Sequence, residues 1–192
     1  MSLKHIMLGM LREPQSGYDL KKCFEKSLRN FWRAELSQIY PLLQKMDGEG
    51  LLASKSSASD IGPTRRVYKR TAKGRNELAE WLSEGPNVGA ERISYLAQVY
   101  FLSELKDDAA VLEFMHELRS YMADWLVNLT DAENSWKANE PRYPDELPDE
   151  QFYPQLTLQM GLTKVRANLK WCDESIERIQ LRQSNKNLSN TG

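Results

Sequence analysis

Apolar side chains recur at helical spacing at Leu3, Ile6, Met7, Met10 and Leu11 and stop before Pro14, which predicts a short first helix over 2–12. Ser16 and Asp19 stand three residues apart, the spacing of a capping box, and open a second helix. There Tyr18, Leu20, Phe24 and Leu28 are interleaved with Lys21, Lys22 and Lys26. Ser37 has the type and position of an N-cap for a third helix. Its apolar face is Ile39, Leu42, Leu43 and Met46, and Gly48 and Gly50 end it. Pro41 is expected at the end of the first turn, where a missing N–H does least harm. From Leu51 the period shortens. Residues 51–57 and 65–71 read as strands joined by a turn over 58–64 that holds Gly62 and Pro63. Thr71 caps a fourth helix carrying Leu78, Ala79, Trp81 and Leu82, which stops before Gly85 and Pro86. Three helices, a hairpin and a return helix follow the order of a winged helix-turn-helix.

The second half is helical apart from one insert. Residues 93–105 read as a short, broadly apolar helix, and Asp107 or Asp108 caps the next. In that helix Val111, Met115, Leu118, Met122, Trp125, Leu129, Ala132 and Trp136 alternate at four and three residues. Leu158, Leu162, Val165, Leu169, Cys172, Ile176 and Ile179 repeat the spacing after a connection over 138–149 with Pro141, Pro144 and Pro148, expected to be semi-extended. Each long helix therefore carries a narrow coiled-coil-like seam that needs a partner. A helix pair packed or exchanged across a two-fold axis satisfies both seams and predicts a homodimer. An intramolecular hairpin of the same helices is the alternative. The expected dimer contacts are Val111, Met115, Leu118, Met122, Trp125, Leu158, Leu162, Val165, Leu169 and Ile176. The fold class is thus mainly α with a small β-hairpin. It comprises a winged-helix domain over 1–86, a helical dimerisation domain over 87–183, and a polar tail over 184–192 expected to be disordered.

Charge sharpens this division. The net charge of −1 conceals 15 Lys and Arg against 10 Asp and Glu in residues 1–86, and 11 against 17 in the remainder. A basic half joined to an acidic one directs an anionic partner to the first half. No apolar run is long enough to span a membrane and the opening residues lack the layout of a secretory signal, so a cytoplasmic location is expected. Cys23 and Cys172 stand alone, without His at ligand spacing, which suggests neither a disulfide framework nor a metal site. No cofactor is implied.

A helix in the major groove presents its first turn to bases and phosphates, because that end carries free N–H groups and a positive dipole. Ser37, Gln38, Tyr40, Pro41, Gln44 and Lys45 fall on the corresponding helix here, and Gln can pair with adenine through two hydrogen bonds. Lys21 and Lys22 on the preceding helix are candidate phosphate contacts. Lys55, Arg65, Arg66 and Lys69 supply a basic wing, with Arg70 beside them. Strand alternation puts Arg65, Val67 and Lys69 on one face and Arg66, Tyr68 and Arg70 on the other, so they cannot all meet DNA together.

At these residues the sequence resembles the PadR family of transcription regulators. The matching stretches are IMLGMLREPQSGYDL over 6–20, SQIYPLLQKMDGEGLL over 37–52 and GPTRRVYKRTAKGRNELAEWL over 62–82. The Tyr40-Pro41 pair and the Arg65-x-x-Tyr68-x-x-Thr71-x-x-Gly74 run are its most specific marks. The second half resembles, in layout, the long helical C-terminal domain of the subgroup related to virulence-gene activators. The resemblance implies a homodimer held by the C-terminal helices, reading a two-fold symmetric operator in double-stranded DNA, more often as a repressor. It also implies modulation by small aromatic compounds. Where family members often carry Gly before the Ile-Tyr-Pro run, this chain has Gln38.

Enzymatic chemistry lacks its reagents: His5 and His116 are the only histidines, and there is no nucleophile elbow, phosphate-cradling loop or His-x-x-x-His pair. His5 is expected to be exposed or capping on the first helix. A winged helix that binds protein instead of DNA shares the fold and is the rival function. Trp81, Trp125, Trp136, Trp171 and Tyr100 could line an aromatic pocket, although aromatic residues at helical spacing more often fill a core.

Overall fold

The computed structural model describes residues 3–28, 31–57, 65–89 and 91–189. The chain divides into two compact units, Met1–Ala90 and Glu91–Gly192. In the first, the order is α1 (Leu3–Met10), β1 (Gln15–Ser16), α2 (Gly17–Cys23), α3 (Leu36–Gly48), β2 (Leu52–Ser57), β3 (Arg65–Arg70) and α4 (Ala72–Ser83). A π-helical turn, Phe24–Leu28, extends α2. The hairpin of β2 and β3 runs in register from Leu52 opposite Arg70 to Ser57 opposite Arg65. The turn expected over 58–64 lies outside the described residues.

Two-residue β1 was not anticipated. It pairs antiparallel with β3, Gln15 opposite Tyr68 and Ser16 opposite Val67, giving the sheet order β1-β3-β2. A pair this short leaves no periodicity to read. The core of this unit joins Met7, Leu8 and Leu11 of the first helix and its end to Leu20, Phe24, Ile39, Leu43, Met46, Leu51, Leu52 and Tyr68. These are the positions the helical and strand periods place inward.

The helix starts are set by side chains. Ser16 and Asp19 form the expected box: the Asp19 N–H donates to Ser16 Oγ at 3.2 Å and the Ser16 N–H to Asp19 Oδ2 at 3.1 Å. Thr71 accepts from the Gly74 N–H at 3.1 Å, and its own hydroxyl donates to Gly50 O at 2.8 Å, binding the start of α4 to the end of α3. A Cβ on Gly74 would stand 2.2 Å from the Leu51 carbonyl oxygen. The Thr-x-x-Gly half of the motif is therefore a packing requirement, since only hydrogen fits where α4 crosses the chain entering β2.

Three local expectations are corrected. The N-cap of α3 is Glu35, two residues ahead of the expected Ser37, because Gln38 reaches back: the Glu35 N–H donates to Gln38 Oε1 at 3.1 Å. Pro41 is consequently the sixth helical residue and removes the bond to the Ser37 carbonyl, on the exposed side of the helix. His5 is half-buried and lies flat on Trp81 of α4, with ring centroids 4.8 Å apart and planes 9° from parallel. Its Nε2 is 3.4 Å from Glu77, whose carboxyl is held below the ordinary carboxylate range by its bond to Lys4 and then by His5.

The second unit comprises α5 (Ser94–Tyr100), a 3-10 turn (Leu102–Leu105), α6 (Asp108–Asn139) and α7 (Asp149–Ser189). The helix expected over 93–105 breaks at Phe101, and Lys106 adopts a left-handed conformation with φ of 50° before Asp107 caps α6. Asp107 Oδ1 accepts from the N–H groups of Ala109 and Ala110 at 2.8 and 3.2 Å.

The two seams meet within one chain. Leu118, Met122 and Leu129 of α6 interlock with Leu158, Leu162, Val165 and Cys172 of α7 in a single buried cluster. Trp125, Trp136, Leu169 and Trp171 pack on its margin. Met115 and Ile176 are buried as well, and Val111 is half-buried. Most of the residues expected at a dimer interface thus pack on one another within the chain. Two narrow stripes on consecutive antiparallel helices satisfy each other at the lowest entropic cost.

The connection between the helices forms compact turns and not a semi-extended loop. Arg142 grips Glu140 through two bonds of 2.9 Å, and Tyr143 folds back so that its hydroxyl donates to Glu133 Oε1 at 3.2 Å. Gln159 Nε2 donates to both Tyr143 Oη and Glu133 Oε1 at 3.0 Å. The tail expected to be disordered from 184 continues as helix to Ser189. Gln183 donates to the Asp108 carbonyl at 2.7 Å and Lys186 pairs with the Asp108 carboxylate at 3.1 Å, anchoring the end of α7 to the start of α6.

Candidate nucleic-acid interface

On α3, Ile39, Leu43 and Met46 are fully buried, whereas Ser37, Gln38, Tyr40, Pro41, Gln44, Lys45 and Gly48 are exposed. The exposed set spans one side of the helix, centred on the line Ser37, Pro41, Gln44 and Gly48. Its charge is light: Lys45 is its sole cation and lies 3.9 Å from Glu49. Ser and Gln offer neutral hydrogen-bonding groups at the end where a helix presents free N–H donors. Gln38 is partly engaged, since its Oε1 caps Glu35, which leaves its amide donors facing outward.

Tyr40 has a second role. A Cβ on Gly17 would lie 2.7 Å from its ring, so the first residue of α2 is packed directly on Tyr40. That contact sets how closely α2 approaches α3. Gly17 belongs to the family-like stretch 6–20, and the spacing of apolar residues carried no sign of why it is glycine.

The structure separates the candidate basic residues. Lys22 is exposed and sits 4.6 Å from the centroid of the Tyr18 ring, an exposed aromatic on the same surface of α2. Lys55 is exposed on β2. Lys69 is half-exposed and 3.3 Å from Glu13. Lys21 is drawn inward, with hydrogen bonds to Glu35 and to a backbone carbonyl. Arg66 donates to Asp47 Oδ2 and to Ser54 Oγ, both at 2.8 Å, and its guanidinium lies over Tyr68. It binds the hairpin to the last turn of α3. The side chain of Arg65 lies outside the described residues. On the same inward face Tyr68 is buried, which pushes its phenol upward in pKa. Arg70 donates to Leu8 O at 3.3 Å, and burial beside Arg12 and Arg75 lowers its pKa.

Lys4, His5, Glu77 and Trp81 form a junction between α1 and α4 that went unseen, because the partners are more than 70 residues apart. The aromatic residues considered for a pocket fall in different surroundings. Trp81 covers His5, Trp125, Trp136 and Trp171 pack on the helix-pair core, and Tyr100 is 80% exposed. Among the described residues no helix is long and apolar enough to cross a membrane.

A polar helix face held over a three-stranded sheet with a two-stranded wing is the arrangement of a winged helix-turn-helix. Residues 7–80 match the transcriptional regulator PadR-like family and residues 91–180 match the virulence activator alpha C-terminal family. The chain thus carries a PadR-like transcriptional regulator domain followed by the virulence-activator type of C-terminal domain, a pair found in transcription regulators and not in enzymes. It is 28% identical over 180 residues to the negative transcriptional regulator PadR of Bacillus subtilis (strain 168), covering 92% of this chain and 97% of that one.

Solved structures agree over nearly the whole length. Bacillus subtilis PadR in complex with operator DNA superposes with a TM-score of 0.79 at 25% identity, covering 91% of this chain and 97% of that one. The same regulator with p-coumaric acid gives 0.71 at 26%, covering 93% and 94%. The Vibrio cholerae virulence activator AphA gives 0.70 at 26%, covering 94% and 99%.

Proposed function

We propose that this chain is a cytoplasmic repressor that binds a two-fold symmetric operator as a homodimer, inserting α3 in the major groove while the β2–β3 hairpin lies along the backbone. The observation that carries this reading is the exposed polar stripe of α3 over a fully buried Ile39, Leu43 and Met46. Ser37, Gln38 and Gln44 contact bases, and Lys22, Lys45, Lys55 and Lys69 contact phosphates. The Bacillus subtilis relative bound to operator DNA supports the mode of docking.

The second copy packs on surface that the α6–α7 pair leaves uncovered. Leu96, Tyr100, Phe101 and Leu105 form one exposed apolar set, and Tyr153, Leu156 and Met160 form a stripe on α7 beside the buried seam. A homodimer supplies the contacts that one helix and one wing lack for a specific affinity of about 10⁻⁸ M or tighter. A small aromatic acid modulates operator affinity, by analogy with the relative crystallised with p-coumaric acid.

The direct test is equilibrium binding to an operator duplex at several salt concentrations. Affinity falls steeply between about 50 and 200 mM salt, and Lys45→Met lowers the slope of log K against log salt by about one. Binding that is insensitive to both salt and the substitution contradicts the reading and favours a protein partner.

A further inference from the structure

Glu35 is an unusual residue to find at the start of a DNA-reading helix. Its side chain is 68% exposed, and a bare carboxylate there would oppose the phosphates that the helix approaches. It is not bare. Lys21 Nζ of α2 donates to Glu35 Oε2 at 2.8 Å and to Ala34 O at 3.1 Å, and lies 3.4 Å from Glu25. Only 17% of the Lys21 side chain is exposed, so the ammonium faces the chain entering α3 and not the solvent. Phe24, Glu25 and Arg33 complete the walls of the same recess.

Glu35 is also the node from which α3 starts. Its carbonyl accepts from the N–H groups of Gln38 and Ile39 at 2.8 and 3.0 Å, and its own N–H donates to Gln38 Oε1. One side chain of α2 therefore fixes the residue that sets both the entry of α3 and the side-chain conformation of Gln38.

We propose that Lys21 serves DNA binding as a positioning residue, holding the first turn of α3 through Glu35 and cancelling its charge, and not as a phosphate contact. This rests on the DNA-binding reading above. It also divides the basic residues of α2 into two roles: Lys22 faces outward over Tyr18, and Lys21 faces inward.

The test is a double-mutant cycle on the full-length chain with an operator duplex, using Lys21→Met, Glu35→Gln and the pair. Lys21→Met alone loses roughly tenfold in affinity with an unchanged salt slope, as expected for a coupling of that size. In the Glu35→Gln background the same substitution changes affinity by less than about threefold, and Lys21→Arg keeps affinity within about threefold. An equal loss in both backgrounds, with the salt slope reduced by about one, identifies a phosphate contact and overturns the proposal. A wild-type chain that binds no duplex overturns the DNA reading itself. Thermal unfolding of the same four proteins then reports the pair directly: coupled midpoints support the contact between Lys21 and Glu35, and purely additive midpoints overturn it.

Discussion

The two units bury their apolar residues in different ways. In Met1–Ala90 the core is made by short elements crossing one another, and their positions are fixed by close contacts: Gly74 on the Leu51 carbonyl, Gly17 on the Tyr40 ring, and the Thr71 hydroxyl on the Gly50 carbonyl. In Glu91–Gly192 two long helices lie side by side along matched seams, with polar ties at both ends of the pair. The first arrangement holds a small polar surface in one geometry. The second is extended, and leaves an apolar surface beside its seam. Rigidity suits the unit proposed to meet DNA, and length suits the unit proposed to join copies.

Substitutions that attack each kind of packing should break this contrast most severely. Gly74→Ala forces a methyl against the Leu51 carbonyl and should destabilise the N-terminal unit by about 3 kcal/mol, seen in denaturant melts, with the C-terminal helices intact. Leu162→Ala empties the centre of the α6–α7 cluster, where Leu162 is fully buried, and should cost the C-terminal unit about 3 kcal/mol. Melting of both units together in either variant would show that they do not differ as described.

Of intermediate size is the effect that separates seam from surface. Met160→Glu leaves the seam untouched, because Met160 is 63% exposed, and should weaken self-association at least tenfold in sedimentation while the helical signal persists. An unchanged association constant would move the dimer contact elsewhere.

Gly17→Ala should be smaller still. The added methyl displaces Tyr40, and operator affinity should fall by about three- to tenfold with little loss of stability.

The smallest effect is in acid. Glu133 has its carboxyl pKa held down, first by Lys137 and then by Gln159 and Tyr143. A depressed folded-state pKa gives stability that is present above the unfolded carboxylate range and is lost as pH falls through the folded value. Glu133→Gln should therefore flatten the decline in stability of the C-terminal unit below about pH 5, measured by thermal unfolding.

The same contrast explains what was legible in the sequence. The N-terminal elements were readable because capping signals, turn residues and a change of period act locally: Ser16 with Asp19, Thr71 with Gly74, and the shift at Leu51 all stand in the structure. Glu35 escaped notice as a cap because it is not a preferred N-cap type, and its role depends on Gln38 reaching back. Arg66 and Lys21 read as free cations, since nothing local to them predicts Asp47 or Glu35 as a partner.

In the C-terminal unit the seams were clear but their partner was not. A heptad stripe specifies that a helix is needed opposite and does not specify from which chain. The helical end of α7 is a similar case, for the polar residues after Ser184 gave no indication that Lys186 would reach Asp108.

The central claim, a two-fold assembly reading DNA through α3, is tested most directly by selecting bound duplexes from a random pool with the full-length chain. The expected result is a two-fold symmetric consensus whose half-sites are separated by about 10 base pairs or a multiple of that, lost when Gln38 and Gln44 are both replaced by Ala. A single asymmetric site, no enrichment at all, or a consensus indifferent to those two residues would contradict it.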